Sequence, residues 1–123
     1  MPQRTPRRRL ADVIERERRR RRGPKTNVEF ARLAHLSSSQ VDIVTHGRGD
    51  GGYSLGTLDG IDQAMGWVSG TAEEIMGSAA ARPSYLADLE RDRQEWLELF
   101  DRATPGQRRL GLQNMRNIVR TDM

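Results

Sequence analysis

Apolar residues recur three and four positions apart along most of the chain, which is the spacing that places them on one face of a helix. Leu10, Val13 and Ile14 mark such a face in a first helix over residues 7–22, and the Gly-Pro pair at 23–24 is expected to end it. No stretch alternates apolar and polar residues for more than a few positions. The pattern therefore predicts an all-α protein.

Two short helices with a tight turn between them are predicted over residues 26–47. Thr26 or Asn27 can cap the first helix of this pair, and Ser37 or Ser38 can cap the second. The apolar positions expected to face inward are Phe30, Ala31, Ala34, Leu36, Val41 and Val44. A small residue inside the first helix, followed by a turn of about three residues, is typical of a helix-turn-helix.

Two more helices complete a predicted N-terminal domain over residues 10–80. Ser54 caps a fourth helix that Gly66 ends, after a glycine-rich loop of sequence GRGDGGY. A capping box that begins at Thr71 starts a fifth helix, which ends near Gly77. The domain is thus expected to contain five helices.

Residues 84–121 are predicted to form a C-terminal helical hairpin. Ser84 caps its first helix, and a Thr-Pro-Gly-Gln box at 104–107 begins its second. The candidates for a dimerisation seam are Leu86, Leu89, Trp96 and Phe100. A homodimer through this seam is favoured, and the alternative is a hairpin that folds back on the N-terminal domain of a monomer.

The net charge of +4 conceals a strong asymmetry. Residues 1–25 hold eleven basic and three acidic residues, or +8, whereas residues 26–123 hold ten basic and fourteen acidic residues, or −4. A basic end on a mildly acidic body indicates a polyanionic partner. Residues 1–9 are interpreted as a basic arm, and the block at 18–22 as either a second polyanion-binding surface or a solvated helix end.

Several classes of site are disfavoured. The chain has no cysteine, which excludes disulfides and thiolate metal sites, and no apolar run approaches the roughly 18 residues of a membrane span. Two histidines in a chain without cysteine make a poor metal site, and the G-x-G-x-x-G at 47–52 lacks a preceding strand. We therefore expect no enzyme, no cofactor, no metal and no membrane, in a cytoplasmic protein.

The stretch TNVEFARLAHLSSSQVDIVTHG, within five predicted helices over about residues 8–78, resembles the lambda repressor-like, xenobiotic-response-element class of DNA-binding domains. The positions that match in residue type are Phe30, Ala31, Ala34, Val41, Val44 and Gly47. The chain departs from the pattern at Thr45, where many members carry Glu, and at His35, where the turn often has Gly.

The resemblance implies that the third helix enters the major groove of duplex DNA. The side chains it assigns to base reading are Ser38, Ser39, Gln40, Asp42 and Ile43. Those it assigns to the DNA backbone are Lys25, Thr26, Asn27, His46 and Arg48. Some members also wrap an N-terminal arm around the duplex, which here would use Arg4, Arg7, Arg8 and Arg9.

The function implied is that of a transcriptional repressor acting at an operator. Twenty of the 21 basic residues are Arg, which indicates a GC-rich bacterial or phage genome and suggests phage immunity as one setting. The alternative is an antitoxin-type protein. Its C-terminal helices would bind a protein partner while its DNA-binding domain regulates its own gene.

Overall fold

The computed structural model describes residues 5–121 and is predominantly helical. Within those residues only one isolated bridge, between Trp67 and Tyr85, has strand-like pairing. The prediction of an all-α protein is therefore confirmed. The helices are α1 (Pro6–Arg19), α2 (Asn27–Ala34), α3 (Ser38–His46), α4 (Leu55–Met65), α5 (Thr71–Gly77), α6 (Leu86–Arg102) and α7 (Pro105–Thr121).

The chain divides into two units, Met1–Ala87 and Asp88–Met123. The first unit holds α1 to α5 and all the buried side chains of the described residues, whereas the second consists of most of α6 together with α7. In the first unit, α1 packs against α3 and α5, and α2 packs against α3 and α4. The largest fully buried side chains are Leu10, Ile14, Phe30, Val41, Val44, Ile61, Met65, Trp67 and Ile75.

The end of α1 differs from the predicted one. The helix stops at Arg19 instead of Arg22, because the N–H of Arg22 donates to the carbonyl of Glu17 and the N–H of Arg21 donates to that of Arg18. This pair of bonds closes the end of a helix when the residue directly after the C-cap is left-handed. That residue is Arg21, which has a φ of 62°. The chain therefore turns before the Gly-Pro pair that was expected to end the helix.

The start of α5 is capped from another helix. The predicted capping box at Thr71 is wrong, because Gly70 is the N-cap residue and makes no side-chain bond. Instead, the carboxylate of Asp62 in α4 accepts from the N–H groups of Gly70 and Ala72, at 2.9 Å each. Burial raises the pKa of Asp62 above its ordinary value, although the two backbone donors oppose the shift. This contact fixes the angle at which α5 leaves α4.

The segment before α6 is held against the rest of the first unit. Ser84 does not cap α6, because the helix begins two residues later and the Ser84 carbonyl accepts from the N–H of Val68 at 2.7 Å. The Tyr85 hydroxyl donates to a buried Glu17 oxygen at 3.0 Å, and the Arg22 guanidinium lies 3.7 Å above the Tyr85 ring. Burial raises the pKa of Tyr85.

The two C-terminal helices are present, but they do not close over a core. The predicted capping box is confirmed, since Thr104 and Gln107 exchange bonds of 2.9 and 3.3 Å at the start of α7. No side chain described in α6 or α7 is buried. The hairpin expected from the sequence is thus two helices joined by a short turn, with Arg108 of α7 donating to the Phe100 and Asp101 carbonyls at the end of α6.

Candidate nucleic-acid interface

A three-residue turn, 35–37, joins α2 to α3. His35 ends α2 in the left-handed conformation, with φ 56° and ψ 40°, and its N–H donates to the Ala31 carbonyl. Glycine adopts this conformation without strain, which explains why a glycine is common at the matching position of the class that the sequence resembles. The imidazole of His35 is exposed, so the turn closes with one non-glycine residue in the left-handed conformation.

The first turn of α3 is closed by a reciprocal cap. The Ser37 hydroxyl accepts from the N–H of Gln40 at 3.1 Å, and the Gln40 side-chain oxygen accepts from the N–H of Ser37 at 2.9 Å. Ser37 is therefore the N-cap, and Ser38 is the first residue of the helix. The capping bond uses the same oxygen atom that a bidentate contact with adenine would need.

The two faces of α3 differ sharply in burial. Val41 and Val44 are fully buried against the core, whereas Ser38, Ser39 and Ile43 are exposed. Ile43 is the one large apolar side chain among these outer residues, with 37% of its surface accessible. The exposed face of α3 thus offers two hydroxyl groups and a branched aliphatic group.

Asp42 is engaged by its neighbours. One carboxylate oxygen accepts from Arg48 at 3.0 Å, and the other lies 3.1 Å from the Nδ1 atom of His46. The same Nδ1 atom lies 2.8 Å from the Asp42 carbonyl oxygen. These contacts balance the negative charge of Asp42 and hold the Arg48 side chain beside the C-terminal end of α3.

The arginines at the start of α1 bind backbone carbonyls of the first unit. Arg7 donates to the carbonyls of Arg48 and Gly52 at 2.9 Å each, and its guanidinium lies 4.2 Å from the centroid of the Tyr53 ring. Arg8 donates at 2.9 Å to the carbonyl of His46, which is the last residue of α3. These two side chains tie α1 to the end of α3 and to the glycine-rich loop.

The predicted arm over residues 1–9 has a different form in the part that the structure describes. Thr5 caps α1, Pro6 is its first residue, and Arg7 and Arg8 follow within the helix. Arg9 donates to the Met76 carbonyl at 2.7 Å, at the end of α5. The arginines at 7–9 are therefore helical residues with partners in their own domain, and Arg4 lies outside the described residues.

Gly47 allows the close approach of α1 and α3. It ends α3 with a φ of 63°, and a Cβ atom at this position would lie 2.8 Å from the Cα atom of Arg8. Because the Arg8 backbone cannot move aside, a Cβ atom at position 47 would force the two helices apart. The glycine that follows the third helix, one of the positions that carry the family resemblance, therefore has a packing reason.

A second polar cluster lies at the start of α2. Thr26 is the N-cap, and its hydroxyl accepts from the N–H of Glu29 at 3.1 Å. Arg18 donates to the carbonyls of Pro24 and Lys25 and to the side-chain oxygen of Asn27, at 2.9, 3.0 and 2.9 Å. Arg18 thus braces the start of α2, a role that no spacing in the sequence had indicated.

The rest of the basic block at 18–22 is also engaged. Arg19 pairs with Glu15 at 2.7 Å and Arg20 lies 3.6 Å from Glu17, while Arg22 lies over the Tyr85 ring. Arg19 and Arg20 remain largely exposed to solvent. The block is thus neither wholly solvated nor wholly free for a ligand.

No three His, Asp or Glu side chains within residues 5–121 lie close enough together to hold a metal ion. None of the helices described is both long and apolar enough to cross a membrane. Comparison of the chain with protein-family models, with curated proteins and with solved structures finds no match. Its function is therefore inferred from the residues of the α2–α3 surface.

Proposed function

We propose that the chain is a lambda repressor-like transcriptional regulator that binds a specific sequence of duplex DNA and represses by occupying an operator. The observation that carries this proposal is α3 itself. Its inner valines are held by α1 and α2, so that its outer face, with Ser38, Ser39 and Ile43, is presented to solvent on a fixed support. An α-helix supported in this way fits the width of the major groove.

The exposed side chains of α3 have the chemistry of base reading. A serine hydroxyl can donate to or accept from several base edges, and Ile43 can contact a thymine methyl group. Gln40 contributes through its NH₂ group while its oxygen stays in the cap. Asp42 acts by positioning Arg48, with which it pairs at 3.0 Å.

The polar clusters at the two ends of the helix pair supply contacts to phosphate. Lys25 and Asn27 lie at the start of α2, where backbone N–H groups and the helix dipole favour an anion. His46 and Arg48 lie at the end of α3, beside Arg7 and Arg8. An arginine has five N–H donors, so those that bind a carbonyl retain donors and their full charge for a phosphate.

Selection of bound sequences from random duplex DNA, at stated salt concentration, tests this proposal. Wild-type protein is expected to enrich one motif. Ser39→Ala, at an exposed position of α3, is expected to weaken discrimination at one base pair by about 1–3 kcal/mol. Ser69→Ala, an exposed serine before α5, is the matched control and should select the wild-type motif.

Failure to enrich any motif would overturn the proposal of sequence-specific binding. Enrichment of a motif with unchanged preferences in Ser39→Ala would remove Ser39 from the reading surface. Melting curves of both serine variants should coincide with that of the wild type, because neither hydroxyl lies in the buried core.

A further inference from the structure

Each of the two C-terminal helices carries an exposed apolar stripe. On α6, Trp96 and Phe100 stack with their centroids 4.9 Å apart, and Leu89 continues the stripe two turns before Trp96. On α7 the stripe consists of Leu112, Met115, Ile118 and Val119. Large apolar side chains that share one helix face and remain in contact with water mark an interaction surface.

The two stripes do not cover each other within the chain. Apart from Asp88, the partly buried residues of the two helices lie near the turn, where Arg108 donates to the carbonyls of Phe100 and Asp101 at 2.8 and 2.9 Å. Away from the turn the side chains are open to solvent, with Leu89 at 50% and Ile118 at 56% accessibility. Most of both stripes is therefore left for a partner.

The charges on the two helices are opposite. α6 contains six acidic and three basic residues, a net charge of −3, whereas α7 contains four basic residues and no acidic residue, a net charge of +4. Helical spacing places Glu90 and Asp92 on either side of the α6 stripe, and Arg109 and Arg116 beside the α7 stripe. The surface that complements α6 is therefore one with the character of α7.

We infer that α6 and α7 form an interface with a second copy of this chain, in which α6 of each copy packs along α7 of the other. Both helices have 17 residues, about 26 Å at 1.5 Å per residue, so each helix is long enough to cover the apolar stripe of the other. A two-fold axis repeats the α6–α7 pairing and sets acidic flanks against basic flanks each time. Packing α6 on α6 would instead set like charges against each other.

This interface does not rest on the proposed binding of DNA. Its first test is the mass of the purified full-length chain at micromolar concentration, measured by light scattering without DNA. The expected mass is twice the 14.0 kDa of one chain. A mass of 14.0 kDa would overturn the inference and would favour stripes that fold back on their own chain or that await a different protein partner.

Charge exchange tests which helices pair. The variant R109E/R116E makes the flank of α7 acidic, and E90R/D92R makes the flank of α6 basic. Each alone is expected to weaken self-association about tenfold or more, because both α6–α7 pairings then set like charges against each other. An equimolar mixture of the two is expected to restore the dimer as a heterodimer, and so is a single chain that carries all four substitutions.

The control is E98R, which reverses the charge at the position of α6 directly opposite the stripe and should leave the dimer intact. A dimer that survives R109E/R116E would overturn the pairing of α6 with α7. Circular dichroism of each variant guards against loss of the helices themselves. A helical variant that dissociates and is not rescued in the mixture would also contradict the inference.

Discussion

Gln40 carries two tasks that compete for one side chain. Its oxygen completes the cap of α3 by accepting from the N–H of Ser37, while the proposed reading of DNA uses the same amide group. A bidentate contact with adenine needs both the oxygen and the NH₂ group, so it would cost the cap. With the cap kept, Gln40 can offer a base only its NH₂ donors.

Two substitutions at Gln40 separate these tasks. Gln40→Glu keeps an oxygen for the cap and removes the donor, so we expect near-wild-type stability with about 1–3 kcal/mol less discrimination at one base pair. Gln40→Ala removes both and should also lower the free energy of unfolding by about 0.5–2 kcal/mol. Urea denaturation and competition binding with single-base variants of the selected site measure the two effects. Unchanged base preference in Gln40→Glu would leave the residue as a cap alone.

The helix caps show which interactions can be predicted from short-range sequence patterns. The caps at Ser37 and Thr104 lie three residues from their partners, so such a pattern is visible in the sequence. The box at Thr104 was predicted, whereas Ser37 was one of two candidates for the cap of α3. Asp62 caps α5 from eight and ten residues away, and Glu17 meets Tyr85 across 68 residues. Such interactions depend on how helices pack, which no local pattern encodes.

In the first unit, glycine allows a close contact between α1 and the end of α3, and another between α2 and α4. Gly47 lies against the backbone of α1, and Gly60, within α4, lies against the carbonyl of Ala34 at the end of α2. The approach at Gly60 brings α4 onto the helix pair and so fixes the support beneath α3. Glycine lowers the intrinsic stability of α4 as a helix, but its lack of a Cβ atom makes the close approach to α2 possible.

Alanine at Gly60 tests that close approach. Its Cβ atom would overlap the carbonyl oxygen of Ala34, and backbone cannot move aside as a flexible side chain can. We expect Gly60→Ala to lower the free energy of unfolding by about 1–3 kcal/mol, despite the helix propensity of alanine. Gly56→Ala in the same helix has open space at its Cβ and should be neutral or stabilising by up to about 1 kcal/mol. Equal effects in thermal melts would show that packing at Gly60 is not limiting.

The sequence predicted the presence of the helices more accurately than the residues at which they begin and end. Seven helices were predicted and seven are present in the described residues. Apolar spacing indicated most of them, because an apolar stripe repeats over several turns, whereas the fifth was predicted from a capping box that the structure does not contain. The end of α1 was missed because Arg21 takes the left-handed conformation that glycine usually supplies. The start of α6 was missed because Ser84 is not a cap residue. Its carbonyl accepts a hydrogen bond from the N–H of Val68 instead.

At the scale of the whole molecule, part of the positive charge near the N-terminus has a structural role that the sequence did not indicate. The side chains of Arg7, Arg9 and Arg18 are held by backbone carbonyls of the first unit. The net charge of a segment does not show which arginines bind groups of their own domain and which are available to a ligand. Among the described residues, the proposed DNA contacts therefore centre on the two ends of the α2–α3 pair.

The salt dependence of binding tests this placement of charge. Each phosphate that a basic side chain neutralises releases counterions, so the slope of log K against log salt concentration changes by about 0.9 for each phosphate left unneutralised. We expect Lys25→Gln and Arg48→Gln each to flatten the slope by about this amount and to weaken binding to all sequences. The measurement is a titration of the selected site at several salt concentrations.

Arg102→Gln, an exposed position at the end of α6, makes the same change of charge outside the proposed DNA-binding surface and should leave the slope unaltered. Ser39→Ala should change preference without changing slope, because a hydroxyl releases no counterion. If Arg102→Gln flattened the slope as much as Arg48→Gln does, binding would follow net charge and not the α2–α3 surface. The combination of a local slope effect with an independent preference effect is what distinguishes recognition through α3 from attraction of a basic protein to any polyanion.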